Sequence, residues 1–238
     1  MMKTDERPLS PQPPPMHEIL AVQAEKYGDR PLAVFDDRTL SYRDLDNDSQ
    51  RIAAAMQKCG VRKGSLVIMM LGNRSEYLTT FFATARIGAV AVPVNVALKG
   101  ESLSHIFQVT KASTIVIEDR FVDRLGEAMG EDACWEQMFV VGDAAVDTDK
   151  NARSFAELAS AVDILESTVV SRSDPMSIMF TSGTTGVAKG VILPHQQVSS
   201  SAWDAVNDLD MDESSIFYTF NPLFHLNGLV FGPMAAIL

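Results

Sequence analysis

The chain has 238 residues, 46% of them apolar and 21% charged, with a formal net charge of −11 and two cysteines. That apolar fraction belongs to a folded globular chain of one large or two ordinary domains, and it excludes disorder as a description of the whole. The longest apolar stretches, residues 89–94 and 229–238, fall short of the roughly 20 residues a spanning helix needs, so no membrane span is expected.

Residues 1–15 hold five prolines and no apolar period, and are expected to form a flexible arm ahead of a domain over 16–238. The arm has no apolar core of a secretory signal, and Cys59 and Cys134 form no framework or metal-type pair, so the cytosol is the expected compartment. From Met16 onward strand-like and helix-like segments alternate. Residues 32–35 read as a strand that turns at 36–38 into 39–41. Ser41 with Asp44 resembles a capping box that opens a helix carrying Leu45, Ile52, Ala53 and Met56 on one face and stopping before Gly60. Residues 66–71 form a continuous apolar run, the mark of a strand buried on both faces. Leu78, Phe81, Phe82 and Ala85 give a helical stripe ending near Gly88, and 89–94 is another buried strand.

The alternation continues with helices at 102–109, 121–129 and 155–161 and strands at 114–117, 139–141, 178–180 and 191–193. Strands alternating with helices of this length imply βαβ units, hence an α/β fold with a largely parallel sheet. Residues 118–166 carry 4 basic and 13 acidic groups, a solvated face, and no basic stripe suited to nucleic acid occurs anywhere in the chain.

Chemistry concentrates in residues 177–195, SIMFTSGTTGVAKGVILPH. An apolar strand runs into Thr181, Ser182, Gly183, Thr184, Thr185, Gly186, Val187, Ala188, Lys189 and Gly190, and a second apolar strand follows. Glycines let the backbone approach a ligand and turn successive N–H groups inward, hydroxyls add short donors, and one lysine supplies a cation, a set that suits a polyphosphate. A Walker A loop needs Gly-Lys-Ser/Thr leading into a helix, whereas here Ala188 precedes Lys189, Gly190 follows it, and the next element is a strand. Lys189 is the only lysine in 167–238. His17 and His105 sit on helices and are read as surface residues, and His195 as an N-terminal turn or cap residue.

TSGTTGVAKG resembles the phosphate-binding signature of the adenylate-forming (AMP-binding) superfamily, which includes acyl- and aryl-CoA synthetases, luciferases and adenylation domains of peptide synthetases. NPLFHLNG at 221–228 is similar to the segment which that family places beside its carboxylate pocket. The resemblance covers roughly 16–238 and is specific at 177–195 and 221–228. It implies the amino-terminal part of an ATP-dependent carboxylate–thiol ligase that forms an acyl-adenylate and transfers the acyl group to CoA. It further implies that Thr181, Ser182, Gly183, Thr184, Thr185, Gly186, Lys189 and Gly190 hold the ATP phosphates, with Thr181 near Mg²⁺. His225 would sit at the carboxylate, with Phe224, Asn227 and Gly228 lining that pocket, and Lys189 and His225 would be the catalytic pair. Most relatives have Pro where this chain has Ala188. The family's later Mg²⁺-binding Glu, ribose-binding Asp and catalytic-Lys domain are not among these 238 residues, so the chain is expected to be part of a protein about twice as long and inactive by itself. The alternative is a truncated, non-catalytic nucleotide- or acyl-binding protein.

Overall fold

The computed structural model describes residues 13–36, 38–130, 135–143, 151–181 and 188–238. Helix α1 (Met16–Tyr27) leads to a two-stranded antiparallel sheet of β1 (Pro31–Val34) and β2 (Thr39–Ser41), and then to α2 (Tyr42–Lys58). The capping box expected at α2 is present: the Ser41 hydroxyl accepts from the Asp44 N–H at 3.0 Å, and the Asp44 carboxylate accepts from the Ser41 N–H at 3.0 Å. Two of the orphan amides at the helix start are thereby satisfied, and the Ser41 N–H and hydroxyl, both donating to the Asp44 carboxylate, hold it below its ordinary range.

The remaining elements are β3 (Leu66–Met70), α3 (Ser75–Arg86), β4 (Val90–Pro93), α4 (Gly100–Thr110), β5 (Thr114–Glu118), α5 (Val122–Met129), β6 (Gln137–Val141), β7 (Ala152–Ser154), α6 (Phe155–Ala159), β8 (Pro175–Thr181), β9 (Lys189–Pro194) and α7 (His195–Asp208). Seven strands form one sheet in the order β7-β6-β5-β3-β4-β8-β9, parallel throughout except where β9 runs antiparallel to β8. The α/β class and the largely parallel sheet thus agree with the sequence. Strand β7, three residues with one buried and two partly or fully exposed, has no apolar run or alternation by which to read it. The carboxyl-terminal apolar run folds as α8 (Leu226–Leu229), a wide kinked turn over Val230–Met234 and α9 (Ala235–Ile237), most of it buried.

Alternation along the strands sends side chains to two cores. Val67, Met69 and Leu71 pack with Leu45, Ile52, Phe81, Phe82 and Val198 on one face, beneath α1, α2, α3 and α7. Ile68 and Met70 pack with Leu103, Ile106, Phe107 and Leu125 on the other, beneath α4 and α5. No helix among the described residues is long and apolar enough to cross a membrane. Of the proline-rich arm, 13–15 are described, and Pro13 and Pro15 are buried; the rest of the arm lies outside the described residues.

His17 is not the surface residue its helical position suggested. Its ring meets that of His195 edge-on, centroids 5.8 Å apart, where α1 packs on α7. His195 opens α7, but it is fully buried and caps nothing; neither of its ring nitrogens, nor Nδ1 of His17, has a hydrogen-bond partner among the described residues. Burial pushes the His17 imidazole down to about 3, with His195 and Arg86 adding to the shift. Burial pushes that of His195 down to about 4, with Asp174 opposing and Lys63 adding. Both folded-state values lie below the ordinary value of about 6.5, so below that pH the unfolded chain binds more protons. Stability contributed by the neutral pair is complete above about pH 6.5 and is lost as pH falls toward 4 and then 3. In urea denaturation, a His17→Leu/His195→Leu variant is therefore expected to lose less unfolding free energy than the parent between pH 7 and pH 4, by on the order of 3 kcal/mol for each imidazole removed. Equal losses would mean that the rings are not held neutral.

Candidate functional site

Strand β8 ends at Thr181 and β9 begins at Lys189, and these two residues are partners in the antiparallel ladder. The two ends of the glycine- and hydroxyl-rich segment therefore stand side by side, and a strand rather than a helix follows Lys189, which separates it from a Walker A loop. Ser182, Gly183, Thr184, Thr185 and Gly186 lie outside the described residues. Thr181 and Lys189 are exposed, with the Thr181 hydroxyl 3.5 Å from the Lys189 carbonyl oxygen. Gly190 packs flat on β8: a Cβ there would stand 2.8 Å from Cγ2 of Ile178 and 3.4 Å from the Phe180 ring. His105, read from sequence as a surface residue, is half-buried instead, and its Nε2 lies 3.2 Å from the carbonyl oxygen of Ala188.

The second segment is held by the loop and helix that follow β3. The Asn73 amide donates to the Asn221 carbonyl at 3.0 Å and accepts from the Leu223 N–H at 2.8 Å. The buried Tyr77 phenol donates to the Leu223 carbonyl at 2.8 Å. Burial pushes that phenol's pKa up, so the proton for this bond is always present. Leu223 is buried, Phe224 half-buried, and His225 and Asn227 exposed; the rings of Phe224 and His225 lie 4.7 Å apart. His225 therefore faces solvent and is not a satisfied core histidine. Its N–H donates to the Pro222 carbonyl at 3.0 Å, which closes the turn into α8. Gly228 is buried against that turn and leaves no room for a side chain: a Cβ there would sit 2.8 Å from the Pro222 carbonyl carbon and 2.9 Å from the Asn221 oxygen.

Asn73 follows the carboxyl end of β3, and Thr181 is the carboxyl end of β8, which runs parallel to β4 and β3. Both segments thus lie at the carboxyl-terminal edge of the parallel strands, where open α/β sheets bind ligands. The same edge is braced by Glu118, 4% exposed, whose carboxylate accepts from the Gly72 N–H at 2.5 Å and pairs with Arg120 at 2.7 Å and Arg74 at 3.6 Å. Asn73, Tyr77 and His105 were not legible as site residues in the sequence. Each is one polar group among apolar or turn residues, and its partner lies 83 to 150 residues away.

The described residues suit the polyphosphate end of a nucleotide, with an exposed cation, a hydroxyl and a glycine backbone at one point of the sheet edge. For Mg²⁺ they supply the Thr181 hydroxyl, and among the described residues no group of three His, Cys, Asp or Glu side chains could hold a metal.

The profile of the AMP-binding enzyme family matches residues 20–238, and the chain belongs to that family. It is 28% identical over 212 residues to the crotonobetaine/carnitine–CoA ligase of Salmonella paratyphi A (strain ATCC 9150 / SARB42), a match covering 86% of this chain and 41% of the ligase. Among solved structures, the anthranilate CoA ligase AuaEII in complex with anthranoyl-AMP superposes with a TM-score of 0.85 at 25% identity, over 99% of this chain and 45% of that one. The apo structure of Mycobacterium smegmatis MbtA has the same fold, with a TM-score of 0.85 at 24% identity over 94% of this chain and 42% of that one. The chain thus spans about two fifths of the length of the ligase it matches.

The glycine against the 221–222 turn is open to a direct test. Gly228→Ala is expected to lower the thermal and urea midpoints by an amount equivalent to about 1–3 kcal/mol, the range for overpacking a tight site. A variant as stable as the parent would show that the turn carrying Phe224 and His225 gives way without penalty.

Proposed function

We propose that the chain supplies the ATP- and acid-binding part of an ATP-dependent carboxylate–thiol ligase. The observation that carries this reading is the Thr181–Lys189 pair that frames the glycine-rich segment, set at the carboxyl edge of a parallel sheet in a chain of the AMP-binding family. In the first step a carboxylate oxygen attacks the α-phosphorus of ATP, a new C–O–P linkage forms, and pyrophosphate leaves with the electron pair of the broken P–O bond. In the second step the sulfur of CoA attacks the acyl carbon, AMP leaves, and the thiol proton passes to solvent.

A carboxylate is a weak nucleophile, so rate must come from alignment and from stabilising charge on the departing pyrophosphate. Lys189 supplies that charge at the β- and γ-phosphates, and the Thr181 hydroxyl and the glycine backbone add neutral donors. Ser182, Gly183, Thr184, Thr185 and Gly186 complete the phosphate set in this reading. Bound Mg²⁺ would neutralise phosphate charge, and the Thr181 hydroxyl would help to hold it. His225 orients the acid. Its exposure, its fixed backbone and its contact with Phe224 support this role, because a carboxylate needs an accessible donor on a rigid support. Asn227 and Gly228 belong to the wall of the same pocket.

The test is carboxylate-dependent ATP–pyrophosphate exchange by the full-length protein encoded by the gene, over a panel of polar, aromatic and long-chain acids. Exchange is expected with at least one acid and not with the isolated 238-residue chain. Lys189→Ala should slow it about 10- to 100-fold, corresponding to a charge-assisted hydrogen bond of about 1.5–3 kcal/mol. A full-length protein inert toward every acid would overturn the ligase reading, and unchanged exchange in the variant would remove Lys189 from the site.

A further inference from the structure

Helix α4 lies on the face of the sheet opposite α2 and α3, anchored by Leu103, Ile106 and Phe107. His105 stands beside these anchors and reaches 83 positions along the chain to the carbonyl oxygen of Ala188, at 3.2 Å from its Nε2. A carbonyl oxygen can only accept, so Nε2 carries the proton in this contact. The β8–β9 ladder closes at the pair Thr181–Lys189, which makes Ala188 the first residue beyond the last rung.

The peptide bond is planar. Fixing the carbonyl of Ala188 therefore fixes the plane of the peptide that joins it to Lys189. The ladder holds the other side of Lys189 through Gly190, paired with Phe180. The backbone of Lys189 is thus fixed on both sides, by strand pairing after it and by an imidazole before it. We propose that His105 is a positioning residue for nucleotide binding, which acts through the Ala188–Lys189 peptide to direct the Lys189 side chain toward the phosphates. The inference rests on the phosphate-binding role of Lys189 proposed above.

The experiment uses the full-length protein and four variants. His105→Phe keeps a flat ring without a donor, and His105→Gln returns an N–H₂ near the position of Nε2. His105→Phe is expected to raise KM for ATP about 3- to 10-fold, the worth of one net hydrogen bond, with KM for the acid unchanged. His105→Gln should stay within about twofold of the parent, a rescue that a purely space-filling role would not produce. Because His105 acts through Lys189, His105→Phe placed on Lys189→Ala should add little to the effect of Lys189→Ala alone. An unchanged KM for ATP in His105→Phe, equal defects in the Phe and Gln variants, or full additivity with Lys189→Ala would each overturn the inference. Those results are distinct from failure of the underlying reading, in which Lys189→Ala by itself leaves exchange untouched.

Discussion

The constraint on which the rest depends is that β3, β4 and β5 are covered on both faces. Nearly every side chain of these strands is buried, so apolar residues are required in both registers except at the ends of β5, where Thr114 and the paired Glu118 stand, and parallel pairing is the arrangement that such strands adopt. Parallel neighbours cannot be joined by a hairpin; the chain must cross back over the sheet through a helix. As a result the turns after β3, β5 and β8 all emerge at one edge. That edge gathers Asn73, Glu118 and Thr181, residues far apart in sequence, and with Asn73 it gathers the 221–228 segment.

Within the seven-stranded sheet, the antiparallel pair β8–β9 departs from that logic and alters the electrostatics of the edge. In a phosphate loop that opens a helix, the helix N-terminus supplies free amides and a partial positive charge to the anion. Here the chain returns into β9. The helix that follows, α7, starts only at His195, after the six residues of β9. Among the described residues no helix begins between Thr181 and His195, and the exposed charge at that point is Lys189. A point charge on a flexible stem helps only when it is aimed, which raises the importance of what fixes its backbone.

Much of this was legible in the sequence because it is written in apolar periodicity. The runs at 66–71 and 89–94, the stripe through Leu78, Phe81, Phe82 and Ala85, and the Ser41–Asp44 box all correspond to elements of the fold. The legible part of the site was its local chemistry, Thr181 and Lys189 framing a glycine-rich segment between strands, and the NPLFH segment before α8. Strand ends at β6, β8 and β9 extend past their apolar cores, because ladder hydrogen bonds continue where side chains turn polar. The surface positions expected for His17 and His105 fail for a related reason. A lone His on a helix is usually solvated, and nothing local tells that α1 and α7 bring His17 against His195, or that α4 aims His105 at Ala188.

Hydrophobic pattern fixes which face of a helix is buried, but it does not identify which polar residue at the rim of that face reaches across to another element. Such residues are inexpensive to place, since the helix is already held by its apolar stripe, and each then needs only one bond of suitable geometry. Tyr77 lies beside Leu78 and Phe81 and spends its hydroxyl on the Leu223 carbonyl. His105 lies beside Ile106 and spends its N–H on Ala188. In both cases the acceptor is a backbone carbonyl of an irregular segment with no strand or helix partner at that point among the described residues, and at the buried Leu223 an unpaired group would cost an appreciable fraction of the fold's margin. The rigid sheet and its helices thus lend definition to the loops at its edge through single side chains. Those side chains are found by asking where each loop carbonyl obtains its donor, and not by scanning for motifs.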